Sequence, residues 1–194
     1  MPGGGPFLVR FQPENALLCV WLNYGGYIPV NLVRHEELRL ETALLIAAWA
    51  ITTAVLVLFV PKEKFREAFL IFAFKQMMTW VLGLLVVELG LLEYPVREFA
   101  NATKTSFSFE FYIYPVTCVV FNLHYPVNKT KFAKFLYYVL YCSTITIVEI
   151  VIERYTGIIN YIHWHWSITW VTLFLTFYAS RKFYHWYFHL NKRT

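Results

Sequence analysis

The chain has 194 residues, of which 58% are hydrophobic, 20% aromatic and only 15% charged. This composition is typical of one integral membrane domain and argues against an ordinary soluble domain. The net charge of +5 comes from basic residues at the ends of apolar segments, with no basic run interleaved with exposed aromatic residues. That pattern excludes a nucleic-acid-binding protein and indicates an excess of positive charge on one side of a bilayer.

The first 40 residues are predicted to form an extracytoplasmic or interfacial N-terminal extension. The opening MPGGGP lacks the basic stretch of a secretory signal, so no cleaved signal peptide is expected. The apolar segment Ala16–Val30 is shorter than the roughly 20 residues that a membrane crossing needs, and Asn23 and Pro29 interrupt it. A re-entrant or interfacial segment is the interpretation that fits its length.

Residues 41–180 contain a succession of long apolar segments, which predicts an all-α membrane protein with a bundle of about five transmembrane helices. Pro115 lies inside the third segment and predicts a kink there. Residues 181–194 are predicted to be a basic, aromatic cytoplasmic tail. The five predicted spans are Glu41–Val60, Phe69–Leu92, Phe107–His124, Ala133–Ile152 and Tyr161–Ala179.

The connecting loops predict the orientation of the bundle. Lysine and arginine are concentrated in the loops after the first and third spans and in the tail after the fifth, represented by Lys64, Lys131 and Arg181. By the positive-inside rule these regions share the cytoplasmic side. The N-terminus is therefore predicted outside and the C-terminus inside.

This topology brings acidic and imidazole side chains from several spans to one depth, close to the outer face. A charge inside a bilayer is costly, so such residues are candidates for a functional site. Glu149 and Glu153 are four residues apart and are expected to share one helix face. The candidate ligand or proton site consists of Glu88, Glu110, Glu149 and Glu153, and the candidate metal ligands are His163 and His165 together with Glu149 and Glu153.

Three interpretations of these residues remain open. Carboxylate and imidazole ligands suit a divalent ion such as Zn, Mn or Fe. Coupled glutamates and a histidine that titrates near neutral pH suit proton handling. The third interpretation is structural, since each side chain lies close enough to the interface to reach headgroups or water. Lys75, near the inner end of the second span, is expected to extend its ammonium group to the cytoplasmic interface.

The run YPVTCVVFNLHYP at residues 114–126, with Glu149 and the segment GIINYIHWHWSITW at residues 157–170, resembles a family of small uncharacterised multi-pass membrane proteins of endospore-forming Gram-positive bacteria. The resemblance covers about the last two thirds of the chain. It implies a multi-pass topology and a location in the bacterial cytoplasmic membrane. The matching positions are Tyr114, Pro115, Tyr125, Pro126, Glu149, Trp166 and Ser167.

The motifs favour a non-enzymatic protein. The chain has no HExxH motif, and no serine or cysteine stands beside an evident base. We therefore expect a membrane protein that uses its Glu/His cluster in partner association or in binding a small ligand or ion. The alternatives are a proton- or divalent-metal-coupled permease or sensor, and an intramembrane metal-dependent enzyme. The expected partners are the lipid bilayer, other membrane proteins or further copies of the chain, and not nucleic acid.

Overall fold

The computed structural model describes the backbone of residues 19–21 and 27–190 and the side chains of residues 38–188. The chain divides into two units, residues 1–40 and 41–194. In the first unit, strands β1 (Cys19–Trp21) and β2 (Tyr27–Pro29) pair antiparallel, with Val20 opposite Ile28. The predicted re-entrant or interfacial segment falls partly outside the described residues, and its relation to the bilayer stays a prediction.

The described part of the chain is mostly helical, as the composition predicted. The α-helices are α1 (Val30–Phe59), α2 (Phe65–Glu88), α3 (Tyr114–Leu123), α4 (Lys131–Tyr155) and α5 (Trp166–Leu190). A short 3-10 helix (Lys62–Lys64) joins α1 to α2, and a π-helical turn (Ser108–Ile113) leads into α3. Helix α1 begins before the predicted span, and α5 begins after its predicted start and continues into the predicted tail.

Among the described residues, three helical segments are long and apolar enough to cross a membrane. They are Leu38–Phe59, Lys62–Glu88 and Lys131–Tyr155, which correspond to the first, second and fourth predicted spans. Large apolar side chains point outward from α1, with Val57 72% and Leu58 78% exposed, as expected of a surface that faces lipid. The third and fifth predicted spans, and the orientation of the bundle, stay predictions.

The π-helical turn before α3 has a local cause in Pro115. Proline has no backbone N–H, so it cannot donate the helical hydrogen bond to the carbonyl of Phe111, four residues earlier. The N–H of Tyr114 instead donates to the carbonyl of Phe109, five residues earlier, which is the π-helical pattern. The irregularity that the proline predicted therefore takes the form of a widened turn, and Glu110 lies within it.

Two loops close one end of the bundle by pairing with each other. Strand β3 (Leu92–Glu93), after α2, pairs antiparallel with strand β4 (Asn160–Tyr161), which lies between α4 and α5. The N–H groups of Ile162 and His163 both donate to the carbonyl of Leu91. Gly90 ends the α2 region with a φ of 65°, a conformation that glycine adopts without strain.

The core near the other end of the bundle is built around Phe121 of α3, which is completely buried. Its ring centroid lies 4.8 Å from that of Tyr138 on α4 and 4.8 Å from that of Phe177 on α5. Aromatic pairs at this separation add to the dispersion energy of close packing. Phe121 therefore holds three helices together.

We expect Phe121→Ala to destabilise the bundle strongly. Truncating a buried phenylalanine costs about 3–5 kcal/mol, because the cavity that it leaves is only partly refilled. The melting temperature of the detergent-solubilised protein is the measurement. Phe135→Ala on α4 is the matched control, since Phe135 is 53% exposed and its truncation leaves no internal cavity. Equal shifts in the two variants would contradict this account of the core.

Candidate functional site

A cavity of about 110 Å³ lies beneath the paired loops, between the helices of the second unit. Helices α2, α3, α4 and α5, the π-helical turn and both loops contribute to its wall. The wall is mainly apolar and aromatic, with hydroxyl groups and two carboxylates. The lining residues are Thr79, Leu82, Gly83, Val86, Leu92, Tyr94, Glu110, Tyr114, Glu149, Trp164, Thr169, Thr172, Leu173 and Thr176.

Glu149, the first of the two carboxylates, is 7% exposed and accepts three hydroxyl hydrogen bonds. Its Oε1 accepts from Tyr161 at 2.5 Å and from Thr169 at 2.8 Å, and its Oε2 accepts from Tyr114 at 2.8 Å. The Nε1–H of Trp164 donates to the Thr169 hydroxyl at 2.7 Å and so orients it towards the carboxylate. Hydrogen bonds of this kind offset the cost of burying a charge.

Glu110, the second carboxylate, is 8% exposed and is much less fully hydrogen-bonded. Its Oε1 accepts one long hydrogen bond, 3.2 Å, from the Tyr94 hydroxyl. Its Oε2 accepts no hydrogen bond from the described part of the chain. Thr79 fixes the backbone beneath it, because the Thr79 hydroxyl donates to the Glu110 carbonyl at 2.6 Å. Glu110 thus offers a carboxylate oxygen to the cavity.

Gly83 of α2 gives the Glu110 side chain its space. A Cβ atom at position 83 would lie 2.8 Å from Cδ and 2.9 Å from Oε1 of Glu110, closer than non-bonded atoms approach. Glycine in a helix is destabilising by about 0.5–1 kcal/mol relative to alanine, so its use here has a steric reason. The missing side chain allows the carboxylate to lie against the helix backbone.

Tyr94 and the two glutamates form one electrostatic group. The carboxylates of Glu110 and Glu149 repel each other. Burial raises the pKa of the Tyr94 phenol well above its ordinary value, and the charges of Glu110 and Glu149 raise it further. The phenol therefore stays protonated at neutral pH and donates its hydrogen bond to Glu110.

Lys75 lies deeper in the bundle and is completely buried. Its Nζ donates to the Thr176 hydroxyl at 2.5 Å and lies 4.6 Å from the ring centroid of Phe177. The helix begins at Phe65, which places Lys75 about 15 Å along it, near its middle. The prediction that this side chain extends to the cytoplasmic interface was wrong, because the helix starts earlier and Thr176 provides an internal acceptor.

The structure brings together some of the predicted site residues and separates others. Glu110 and Glu149 share the cavity wall. Glu153, one turn beyond Glu149, is half-buried and lies outside the lining. Glu88 is 71% exposed in its side chain and pairs with Lys104 at 3.1 Å.

The two predicted histidine ligands lie on the outside of the paired loops. His163 and His165 are exposed, and Nδ1 of His165 hydrogen-bonds the Ser167 hydroxyl at 2.8 Å. Among the described residues, no three His, Cys, Asp or Glu side chains are grouped so that they could hold a metal ion. The Zn, Mn or Fe site stays a prediction, and the described residues supply no set of ligands for it.

Sequence reasoning missed the hydroxyl and indole groups of the site. Tyr94, Tyr161 and Trp164 lie in the paired loops, where the sequence has no periodicity to indicate which side chains point inward. A signal was present on α5, where the hydroxyl residues Thr169, Thr176 and Ser180 recur at helical spacing within an apolar segment. All three are buried.

Comparison of the chain with protein-family models, with curated proteins and with solved structures gave no match.

We expect Glu149→Leu to destabilise the protein because it leaves three buried or half-buried hydroxyl donors without their acceptor. Each such orphaned group costs about 1–3 kcal/mol. Thermal unfolding in detergent is the measurement. Glu153→Leu is the matched control on the same helix, and its effect should be small because Glu153 accepts no hydrogen bond from the described residues. A melting temperature of Glu149→Leu equal to that of the control would refute the role assigned to this carboxylate.

Proposed function

We propose that this protein binds a small organic ammonium ion in the cavity between Glu110 and Glu149. The observation that carries the proposal is the placement of two carboxylates on one otherwise apolar and aromatic cavity wall. A cation bound between two buried carboxylates favours their charged forms, because opposite charges attract strongly in a low-dielectric interior. Glu110 is the group that accepts a hydrogen bond from the ligand's N–H, because its Oε2 accepts none from the described part of the chain.

The character of the wall supports an organic cation over a metal ion. Metal ions such as Mg²⁺ and Ca²⁺ require about six or more oxygen ligands, whereas Glu149 already accepts three hydrogen bonds. The rings of Tyr94, Tyr114 and Trp164 line the same space, and aromatic faces attract ammonium groups. The leucine and valine side chains of the wall suit a short alkyl group.

The size of the cavity supports a short ligand. A cavity of about 150 Å³ in an engineered protein binds benzene. The present cavity, about 110 Å³, is smaller. A ligand of roughly five non-hydrogen atoms, such as butylammonium, is therefore a suitable probe.

We further propose that the bundle crosses the bacterial cytoplasmic membrane five times, with the cavity near the outer face. The pairing of β3 with β4 supports this arrangement, because it joins the two loops that the positive-inside rule assigns to the outside. At the other end, the ring of Phe59 in α1 lies 5.9 Å from that of His124, which follows α3. The lysine-rich loops begin at these two positions. The bacterial location is supported by the family resemblance of the sequence.

Isothermal titration of the detergent-solubilised protein with butylammonium chloride tests the binding site. We expect saturable binding that Glu110→Gln weakens by roughly 10-fold or more, because a charge-assisted hydrogen bond contributes about 1.5–3 kcal/mol. Glu149→Gln should also weaken binding while keeping the fold, since the amide oxygen accepts from Tyr161 and Thr169 and the Tyr114 hydroxyl is able to accept from the amide N–H.

Two controls make this test specific. Glu88→Gln is the matched variant, because Glu88 lies outside the cavity and pairs with Lys104 at the surface. It should bind butylammonium as the wild type does. Butanol, of nearly the same size but uncharged, should bind at least 10-fold more weakly. Absence of butylammonium binding to the wild type, or equal binding of butanol, would refute the proposal.

The orientation of the bundle is tested by cysteine labelling in intact cells. In a background with Cys19 replaced by serine, Ala100→Cys in the β3–α3 loop should react with a membrane-impermeant maleimide from outside. Lys64→Cys, in the α1–α2 connection, should react only after permeabilisation. Both parent side chains are exposed, and Cys118 and Cys142 are buried. Labelling of both positions from the same side would contradict the proposed topology.

A further inference from the structure

We propose that Lys75 is an internal ammonium group that competes with the bound ligand, so that binding of an organic ammonium ion is linked to release of a proton from Lys75. This inference rests on the proposed function and assigns its regulation. The structural basis is the hydrogen bond from this fully buried lysine to Thr176, a residue of the same cavity wall that contains Glu110. The reaction converts Lys75 from R–NH₃⁺ to R–NH₂, with the electron pair left on Nζ and the proton passed to solvent.

Lys75 and Glu110 are connected through Thr79. The Thr79 hydroxyl lies 3.0 Å from the Lys75 carbonyl and 2.6 Å from the Glu110 carbonyl, so it fixes the π-helical turn one helical turn above Lys75. The ammonium group and the Glu110 carboxylate attract each other. A second cation beside Glu110 therefore raises the energy of protonated Lys75, because like charges repel strongly away from water.

The immediate surroundings of Lys75 accommodate both of its protonation states. Its hydrogen-bond partner is the Thr176 hydroxyl, which donates to the Leu173 carbonyl at 3.0 Å and accepts from Nζ. The ammonium group and the neutral amine both carry N–H groups, so either form is able to donate this bond. No carboxylate of the described residues hydrogen-bonds to Nζ. The other groups that face it are the ring of Phe177 on α5 and the thiols of Cys118 on α3 and Cys142 on α4.

The inner part of α5 gives the lysine polar neighbours beyond Thr176. Ser180, one turn further along, is completely buried and receives hydrogen bonds from the Cys118 thiol at 3.1 Å and from Asn122 at 3.2 Å. Thr169, at the other end of this row, bonds to Glu149. The row of hydroxyl groups from Thr169 to Ser180 covers about 16 Å of the helix. Lys75 thus lies in a polar row between the cavity and the inner end of the bundle.

Proton release on ligand binding is the property to measure. The detergent-solubilised protein is titrated with butylammonium chloride in buffers of different ionisation enthalpy, which yields the number of protons released per ligand bound. The wild type should release about one proton, and its dissociation constant should rise about tenfold for each unit by which the pH is lowered while free Lys75 is protonated. Lys75→Met should bind butylammonium without this release and without this pH dependence.

Lys104→Met is the matched control, because Lys104 is an exposed lysine paired with Glu88. It should keep the wild-type proton release. Release of a proton by Lys75→Met as well would overturn the proposal, since the proton would then come from a glutamate. Binding to the wild type without any release would also overturn it. Absence of binding to the wild type would instead refute the proposed function on which it rests.

Thr176→Val provides a second test that retains the lysine, for the case in which Lys75→Met does not fold. Valine has nearly the shape of threonine but cannot accept the hydrogen bond from Nζ, so the charged form of Lys75 is less stable. Proton release should persist, and the pH below which affinity begins to fall should move downward. An unchanged pH profile would overturn the role of Lys75.

Discussion

The arrangement of the bundle around the cavity depends on the hydrogen bonds of the buried Glu149 carboxylate. Its three hydroxyl donors come from α3, from the β4 loop and from α5, while Glu149 itself belongs to α4. A single charge therefore connects four parts of the chain that are distant in sequence. A carboxylate in such a place is stable only while its donors surround it, so the fold and the site require the same contacts.

The sequence was sufficient to predict the helical architecture and to select Glu110 and Glu149 as candidate site residues. Hydropathy located the three helices that are long and apolar enough to cross a membrane. It was insufficient for Glu88, which is the last residue of α2 and turns to the surface and Lys104. It was insufficient for His163 too, because loop conformation, rather than helical periodicity, decides which side chains of that segment face the cavity.

Lys75 illustrates a different limit. Lys75 lies close to the inner end of the predicted span, so the sequence favoured an extended side chain that reaches the interface. The structure has a helix that begins four residues before the predicted span, a hydroxyl acceptor on α5 and an aromatic face, which together stabilise the amine in the interior. Such compensation comes from elements that are remote in sequence, and no local pattern in α2 contains it. Where a membrane helix carries an isolated basic residue, the facing helices have to be searched for polar partners.

The π-helical turn makes the register between Glu110 and α3 sensitive to chain length. Each residue added to or removed from a helix rotates the segment before it by about 100° relative to the segment after it. Loss of one residue between Glu110 and Tyr114 would convert the wide turn into an ordinary one and carry the carboxylate away from Glu149, although the apolar face of α3 would stay intact. An insertion or deletion in this short segment would therefore change which carboxyl groups line the cavity.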